Sequence, residues 1–165
     1  MIFLTLGTQK FQFNRLLKYV DELIENGDIK EEVFAQIGNS SYIPKNFKYV
    51  KFLNSSEFNN YILNCSLFIT HGGVGSIQQA LLNKKKTLVC PRVKKYHEHV
   101  DNHQEQLVNK YEKLGYIKSF NSKEELKDLI NNISNLKFNY FLIKNEDNNE
   151  IVNYIDEFIQ KGGKL

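Results

Sequence analysis

The sequence predicts an α/β protein with a doubly wound parallel sheet and helices on both faces. Short apolar runs, typical of strands buried on both sides, alternate with longer segments in which apolar residues recur every three or four positions. Several runs end at a glycine or a proline, where the chain turns toward the next element. Alternating strands and helices form βαβ units. A length of 165 residues favours a single domain over 1–165.

The first half of the chain is expected to contain four strands and two intervening helices. The strands are predicted from apolar runs at 2–6, 33–37, 49–53 and 67–69. The first helix stops near Gly27 and is indicated by apolar spacing at Phe13, Leu16, Leu17, Val20, Leu23 and Ile24. The second is capped by Ser55 or Ser56 and carries Phe58, Tyr61 and Ile62.

The second half continues the alternation. The glycine-rich segment 70–75 leads into a helix that has Val74, Ile77 and Leu81 on one face. A fifth strand at 87–89 ends before Pro91. Two more helices are marked by the apolar sets Val100, Leu107, Tyr111 and Leu114, and, after the cap Ser122, Leu126, Leu129 and Ile133. A polar tract at 145–149 precedes an amphipathic helix at 151–159, which either packs on the core or forms a docking surface.

Composition narrows the function classes. A net charge of +3, evenly spread, does not indicate nucleic-acid binding. No apolar run approaches the ~20 residues of a membrane helix, so we expect a soluble chain. Cys65 and Cys90 lack the spacing of a metal knuckle or a redox pair. They are predicted to be reduced, buried thiols of a cytosolic protein.

Residues 70–81, THGGVGSIQQAL, carry the strongest chemical signal. A glycine-rich turn between a strand and a helix presents backbone N–H groups to an anion, and the helix N-terminus adds partial positive charge. In doubly wound sheets, ligands bind outside the carboxyl ends of the strands, where this turn falls. The sequence therefore predicts an anionic ligand that carries a nucleotide.

Three side chains of this segment are candidate contacts. Ser76 and Gln79 should project together, opposite the buried helix face, where a hydroxyl and an amide suit phosphate and sugar hydroxyls. The alternative is that Ser76 only caps the helix and Gln79 is solvated. His71 is expected to face the ligand crevice from the end of its strand.

A second polar helix start lies at residues 101–104. Asp101 is either an N-cap or part of the pocket, and Gln104 is either a satisfied core amide or a crevice residue. Arg92, with Lys94 and Lys95, either approaches the ligand or is solvated. Two polar helix starts close together make a ligand pocket the better interpretation.

Other site types are disfavoured. His99 and His103 have the spacing of a metal-binding helix face, but HExxH and further ligands are absent, so we expect loop or crevice histidines and no metal. The chain has no GxSxG, Walker or GxGxxG pattern, which counts against triad hydrolases, ATPases and dehydrogenases. A receiver-like signalling domain would need acidic residues after the first strand, where the chain has GTQ at 7–9.

Four segments together resemble glycosyltransferase family 28, whose C-terminal domain is the donor-binding half of a GT-B enzyme with a Rossmann-like fold. They are FLTLGT at 3–8, FAQIG at 34–38, THGGVGSI at 70–77, and PRVKKY with EHVDNHQ within 91–104. The family includes the bacterial murein N-acetylglucosaminyltransferase. Stand-alone members are donor-binding subunits of two-part enzymes, in bacterial capsule or exopolysaccharide synthesis and in the eukaryotic transfer of N-acetylglucosamine to a dolichol-linked sugar.

The resemblance implies a UDP-sugar donor and no separate cofactor. It places the diphosphate at the turn 73–76, the ribose at position 79, and the donor sugar at Asn102 and Gln104. His71 is a candidate contact, and no catalytic residue is assigned, since a general base must approach the acceptor hydroxyl and could belong to the partner. The expected donor-binding set is Gly7, Thr8, His71, Gly72, Gly73, Val74, Gly75, Ser76, Gln79, Arg92, Asn102 and Gln104.

A GT-B cleft needs two domains, and this chain has the length of one. The resemblance therefore implies a membrane-anchored, acceptor-binding glycosyltransferase subunit and a lipid-linked saccharide acceptor. It implies an inverting, metal-independent hexosyltransferase of surface polysaccharide synthesis, cytoplasmic and peripheral at the inner face of the membrane. The alternative is a non-catalytic subunit that binds a nucleotide-sugar or stabilises its partner.

One position and one four-residue segment depart from the family pattern. Gln79 stands where relatives usually have Glu, so one acceptor oxygen is left for the ribose hydroxyls. Residues 83–86, NKKK, stand where relatives usually read Leu-Gly-Lys-Pro. The first change bears on nucleotide affinity, and the second is expected to affect only a turn.

Overall fold

The computed structural model describes residues 1–100 and 103–139, apart from the side chain of His103. These residues form a six-stranded, wholly parallel sheet in the order β3-β2-β1-β4-β5-β6, which confirms the predicted fold class. The order reverses between β1 and β4, the point at which doubly wound folds form their ligand crevice. The strands are β1 (Ile2–Thr5), β2 (Val33–Gln36), β3 (Lys48–Val50), β4 (Leu67–His71), β5 (Lys86–Cys90) and β6 (Lys118–Ser119).

Helices cover both faces of the sheet. The side chains of β1 alternate, so Ile2 and Leu4 pack into a cluster with α1 and α5, and Phe3 packs into a cluster with α2 on the other face. A third cluster joins α3 and α4. The helices are α1 (Asn14–Glu25), α2 (Ser55–Asn64), α3 (Val74–Leu82), α4 (His103–Lys113) and α5 (Lys123–Asn131), with a 3-10 turn at Lys94–Tyr96.

The buried stripe predicted for α3 is confirmed. Ile77 and Leu81 are buried against Val89 and the α4 side chains Leu107 and Val108, and Val74 packs partly buried at the edge of this cluster. Burial of one such aliphatic side chain stabilises a fold by roughly 1.5–3 kcal/mol. This packing fixes the direction in which the opposite face of α3 points.

Several element boundaries differ from the sequence-based expectations. β3 ends at Val50 rather than at residue 53, because the Leu53 N–H leaves the sheet and donates to the Gln36 side chain. The cap of α2 is Asn54, in a reciprocal capping box with Glu57, and not Ser55 or Ser56. The predicted cap of α5, Ser122, is confirmed.

The far end of the chain was predicted less well. Val100 was expected on the buried stripe of α4, but it precedes that helix and is 59% exposed. The two-residue strand β6 is too short to produce an apolar run.

Cys65 and Cys90 are free and buried, as predicted. The tract at 145–149 and the helix expected at 151–159 lie outside the described residues. Within the described ranges, no helix is long and apolar enough to cross a bilayer.

Candidate functional site

A cleft of about 400 Å³ opens at the carboxyl ends of β1 and β4, between the starts of α2 and α3. Its volume lies in the range of small-molecule sites. A larger cavity, of about 600 Å³, lies at the amino-terminal end of the sheet. We place the candidate site in the smaller cleft because the strand order reverses there. The cleft is lined by Gly7, Thr8, Gln36, Leu53, Asn54, Ser55, Phe58, Asn59, Gly75, Ser76 and Gln79.

The start of α3 is open toward this cleft. The first bond inside the helix runs from the Ile77 N–H to the Gly73 carbonyl, so the N–H groups of the preceding residues have no partner within the helix. Among the described side chains, none caps this end. Gly75 is exposed, and a Cβ built on it would meet no atom within 4 Å. The helix therefore presents unpartnered donors and its positive dipole end to the cleft.

Ser76 and Gln79 reach the same cleft from one face of α3. Ser76 is half-buried and Gln79 is exposed. Because Gly73 is the N-cap and Ser76 lies inside the helix, the alternative that Ser76 serves as the cap is wrong. The arrangement brings a hydroxyl and an amide beside free backbone donors. Contact of either side chain with a ligand stays a prediction.

The glycines at the strand ends make room for a histidine ring. A Cβ on Gly73 would lie 2.9 Å from Cε1 of His71 and closer still to Nε2, and a Cβ on Gly7 would lie 2.7 Å from Nε2. Gly7 also has a positive φ of 71°, which glycine adopts without strain. Gly72 has a different neighbour, since its Cβ would lie 3.0 Å from Cβ of Gln104 on α4. These glycines thus serve the packing of the turn, and Gly75 is the one that adjoins open space.

His71 lies beneath the turn rather than in the cleft. Its side chain is 4% exposed, and Nδ1 lies 3.3 Å from the hydroxyl oxygen of Thr70. Burial, together with the positive charge of Arg92, lowers the pKa of His71 to about 3. The imidazole is therefore neutral near pH 7. In this position it supports the turn from below, and direct contact with a donor stays a prediction.

Arg92 is a buried clamp between the loops at this end of the sheet. Its side chain is 1% exposed. Nη2 donates to the Leu6 carbonyl at 2.8 Å, and Nη1 donates to the carbonyls of Phe11, Gln12 and Glu98 at 3.0–3.1 Å. Burial lowers the pKa of Arg92 to about 10, an effect that Glu98 opposes, so the group remains charged at pH 7. The terminal nitrogens point at backbone, and a direct diphosphate contact by Arg92 stays a prediction.

A second arginine, which the sequence analysis did not single out, completes this network. Arg15 on α1 donates from Nε and Nη2 to the two carboxylate oxygens of Glu98, each at 2.9 Å. Glu98 is 1% exposed and also accepts from the Val93 N–H at 3.0 Å. Arg15 and Glu98 lie 83 residues apart, so no local spacing indicates the pair. Together they hold the loop at 91–98 against α1.

The second polar helix start has a structural role where it is described. Gln104 is 8% exposed, and its Oε1 accepts from the Arg92 N–H at 3.3 Å. The oxygen of this amide is thus engaged in the core, as in the first of the two alternatives, and a donor-sugar contact by Gln104 stays a prediction. Asp101 and Asn102 lie outside the described residues, as does the side chain of His103. The expected sugar contact of Asn102 and the interpretation of the His99/His103 pair therefore stay predictions.

The cleft also contains polar groups that sequence reasoning missed. Gln36 is buried at the end of β2, where its amide nitrogen lies 3.4 Å from the Gly7 carbonyl and its oxygen accepts from the Leu53 N–H at 3.1 Å. Asn54 and Asn59 border the cleft from α2. The FAQIG segment pointed to the end of β2, but only the fold brings α2 to the start of α3.

One known family covers most of the chain. The glycosyltransferase family 28 C-terminal domain matches residues 1–158. The UDP-N-acetylglucosamine transferase subunit ALG13 of Candida albicans is 37% identical over 90 residues, which are 54% of this chain and 29% of that protein. The chain thus matches less than a third of this curated relative's length.

Solved structures share the fold at low sequence identity. The NMR structure of ALG13 superposes with a TM-score of 0.56 and 21% identity, over 92% of this chain and 93% of that one. SnogD from Streptomyces nogalater superposes with a TM-score of 0.55 and 20% identity, over 79% of this chain and 35% of that one. The kitacinnamycin glycotransferase superposes with a TM-score of 0.58 and 16% identity, over 98% of this chain and 40% of that one. The predicted Rossmann-like fold is confirmed, and the matched crystal structures are GT-B glycosyltransferases.

The first prediction concerns the contact between Gly73 and His71. Gly73→Ala should destabilise the chain by about 1–3 kcal/mol, because the new methyl group overlaps a ring that is packed on all sides. In a His71→Ala background the same change should cost much less, and urea unfolding of the four proteins measures this coupling. Gly75→Ala is the control, and because Gly75 lies in α3 beside open space, this change should be neutral or stabilising by up to about 1 kcal/mol. Equal costs for Gly73→Ala in both backgrounds would contradict the packing role.

The second prediction concerns pH. The pKa of His71 is about 3 in the folded chain, against an ordinary value of 6.5, so between these values the unfolded chain binds the extra proton. Stability from this group is complete above pH 6.5 and is lost as the pH falls. Between pH 7 and pH 5.5 the wild type should lose about 1 kcal/mol more than His71→Asn in urea unfolding. Equal losses would show that the imidazole does not stay neutral on folding.

Proposed function

The chain belongs to the glycosyltransferase family 28 C-terminal domain family. We propose that it is the donor-binding subunit of a UDP-sugar-dependent glycosyltransferase. Family membership supports a transferase. The observation that carries the donor site is the open start of α3, whose free N–H groups border a cleft of about 400 Å³. The donor diphosphate is assigned to this helix end.

The chemistry of the cleft suits the parts of a nucleotide-sugar. Backbone donors and the helix dipole stabilise the charge on a leaving diphosphate, so the proposed mechanism uses no metal. Ser76 and Gln79 are assigned to the phosphate and ribose hydroxyls. Leu53 and Phe58 give the cleft an apolar wall that accommodates the flat base. Arg92 supports the site from below by holding the adjoining loops.

A partner subunit is part of the proposal. A GT-B active site lies between two domains, and the described residues supply one sheet and an open cleft. The Candida albicans relative is itself named a transferase subunit. We assign acceptor binding to a membrane-anchored partner that presents a lipid-linked saccharide, as in surface polysaccharide synthesis. This places the chain peripherally at the cytoplasmic face.

The burial of His71 bears on the catalytic base. A base must reach the acceptor hydroxyl, and a neutral imidazole that is 4% exposed beneath the turn lacks that access. We therefore assign the base to the partner. The transfer is proposed to invert the anomeric centre of a hexosyl donor, with direct displacement of the diphosphate.

One observation favours a second candidate function. Gln79 offers a single amide oxygen, where a carboxylate would accept from two ribose hydroxyls. Weak nucleotide retention fits a subunit that binds a nucleotide-sugar without transfer or that only stabilises its partner. Binding and transfer experiments separate the two candidates.

Gln79→Glu should tighten UDP binding about five-fold, because charged acceptors form stronger hydrogen bonds with hydroxyl donors. Isothermal titration of the chain with UDP measures the dissociation constant. Gln106→Glu is the matched control, since this exposed α4 residue makes the same charge change outside the cleft. Unchanged affinity for UDP in Gln79→Glu would show that residue 79 does not contact the ribose. Failure of the wild type and of both variants to bind UDP would contradict the donor proposal.

The enzyme assignment is tested by reconstitution. We expect transfer of a labelled sugar from its UDP donor to a lipid-linked acceptor when the chain is combined with the membrane subunit that co-purifies with it. Neither subunit alone should transfer, because each holds one side of the cleft. UDP binding without transfer by the combined subunits would favour the non-catalytic alternative.

A further inference from the structure

The cavity of about 600 Å³ at the amino-terminal end of the sheet has an unusual lining. The residues come from the end of α2, from the turn between α3 and β5, and from the segment that follows α5. Because parallel strands share a direction, this cavity and the proposed donor cleft lie at opposite ends of the sheet. The lining consists of Cys65, Ser66, Leu81, Lys84, Lys85, Lys86, Leu136, Lys137, Phe138 and Asn139.

Lysine dominates the polar part of this lining. Lys85 donates from Nζ to the carbonyls of Leu63 and Cys65 at 2.8 and 3.0 Å. Lys86 donates from Nζ to the Ile133 carbonyl at 2.8 Å. These bonds fix two ammonium groups in the wall, and each ammonium has three N–H donors, so each retains at least one for a ligand.

The positive charge of the cavity is not balanced by carboxylates of the residues that the structure describes. Among the described residues, Lys84, Lys85, Lys86 and Lys137 make no ion pair with a carboxylate. Glu31 borders the adjoining cavity of about 310 Å³, which shares Ser66 and Lys86 with this one. Its carboxylate already binds the Met1 amino group and the Ser66 hydroxyl. A ligand with negative charge would therefore complete the site.

Lys84 is the residue at which the backbone turns after α3. Its φ is 53°, in the left-handed region, where an L-residue with a Cβ pays roughly 1 kcal/mol and glycine does not. The NKKK segment, which the donor site does not use, thus places a lysine where a glycine would be less strained. The conformation ends α3 in a Schellman motif, in which the Lys84 N–H donates to the Leu81 carbonyl and the Lys85 N–H donates to the Ala80 carbonyl, each at 2.9 Å, so it belongs to the turn and needs no ligand.

We propose that this cavity is a second, anion-binding site that takes a ligand with more than one phosphate group. It goes beyond the proposed transferase function and does not depend on it. Four lysine side chains from two segments line one cavity, so a ligand with several phosphate oxygens engages more of them than a single phosphate does. A soluble polyphosphorylated molecule and a phosphorylated lipid headgroup share this chemistry.

The test uses inorganic tripolyphosphate, titrated calorimetrically into the full chain with and without UDP. The double variant Lys84→Gly/Lys137→Gln should raise the dissociation constant about ten-fold, because two charged contacts are lost. Lys84→Gly also relieves the positive φ, so the variant should unfold at or above the wild-type temperature. Lys18→Gln/Lys51→Gln, which removes two exposed lysines outside the cavity lining, should bind like the wild type.

Equal affinities in the wild type and the cavity variant would overturn the proposal, because binding at the donor cleft does not involve Lys84 or Lys137. Failure of UDP to bind affects only the donor proposal. Sedimentation with phosphatidylcholine vesicles, with or without phosphatidylinositol bisphosphate, separates the sources of the ligand. Retention on the phosphorylated vesicles that the cavity variant loses assigns a lipid headgroup, and cavity-dependent binding of tripolyphosphate alone assigns a soluble ligand.

Discussion

A buried guanidinium needs hydrogen bonds that stabilise its charge, and the carbonyls around the two terminal nitrogens of Arg92 meet this need at the carboxyl end of the sheet. Arg92 engages backbone carbonyls at the end of β1, in the loop that follows it, and at Glu98. The Glu98 carboxylate is in turn held by Arg15 of α1. Charge-assisted bonds of this kind are stronger than neutral ones, and loss of one buried partner leaves a costly unpaired charge. The network therefore fixes the loops that frame the cleft before any ligand arrives.

The glycines around the start of α3 differ in what surrounds them: three are closely packed, and one adjoins open space. Gly7 and Gly73 are small because the His71 ring lies between them, and Gly72 is small because α4 packs on it. Gly75 alone of these four adjoins open space, at the exposed end of α3. The neutral ring lies below the turn, and the unpartnered N–H groups above it form the surface to which we assign the diphosphate. Its open side accounts for the proposed need for a partner.

Local patterns predicted the parts of this molecule that depend on local physics. The periodicity of α1 and α3 and the apolar run of β1 indicated each element, because those side chains pack on the sheet at regular spacing. The cap of α2 was assigned to a neighbouring serine, since both residue types cap helices well. The Arg15–Glu98 pair and the Gln36 bridge join residues distant in sequence, which only the fold brings together. The lysine segment 84–86 was expected to affect only a turn, since only the fold brings the distant Lys137 to the same cavity.

The central claim is that the start of α3 holds the diphosphate of a UDP-sugar. Titration of the 15N-labelled chain with UDP, followed through backbone amide shifts, tests it most directly. We expect saturable shifts of the Gly75 and Ser76 amides, with smaller shifts at Gly7 and Thr8 across the cleft. Unshifted amides at the start of α3 under saturating UDP, or shifts confined to the amino-terminal end of the sheet, would contradict it.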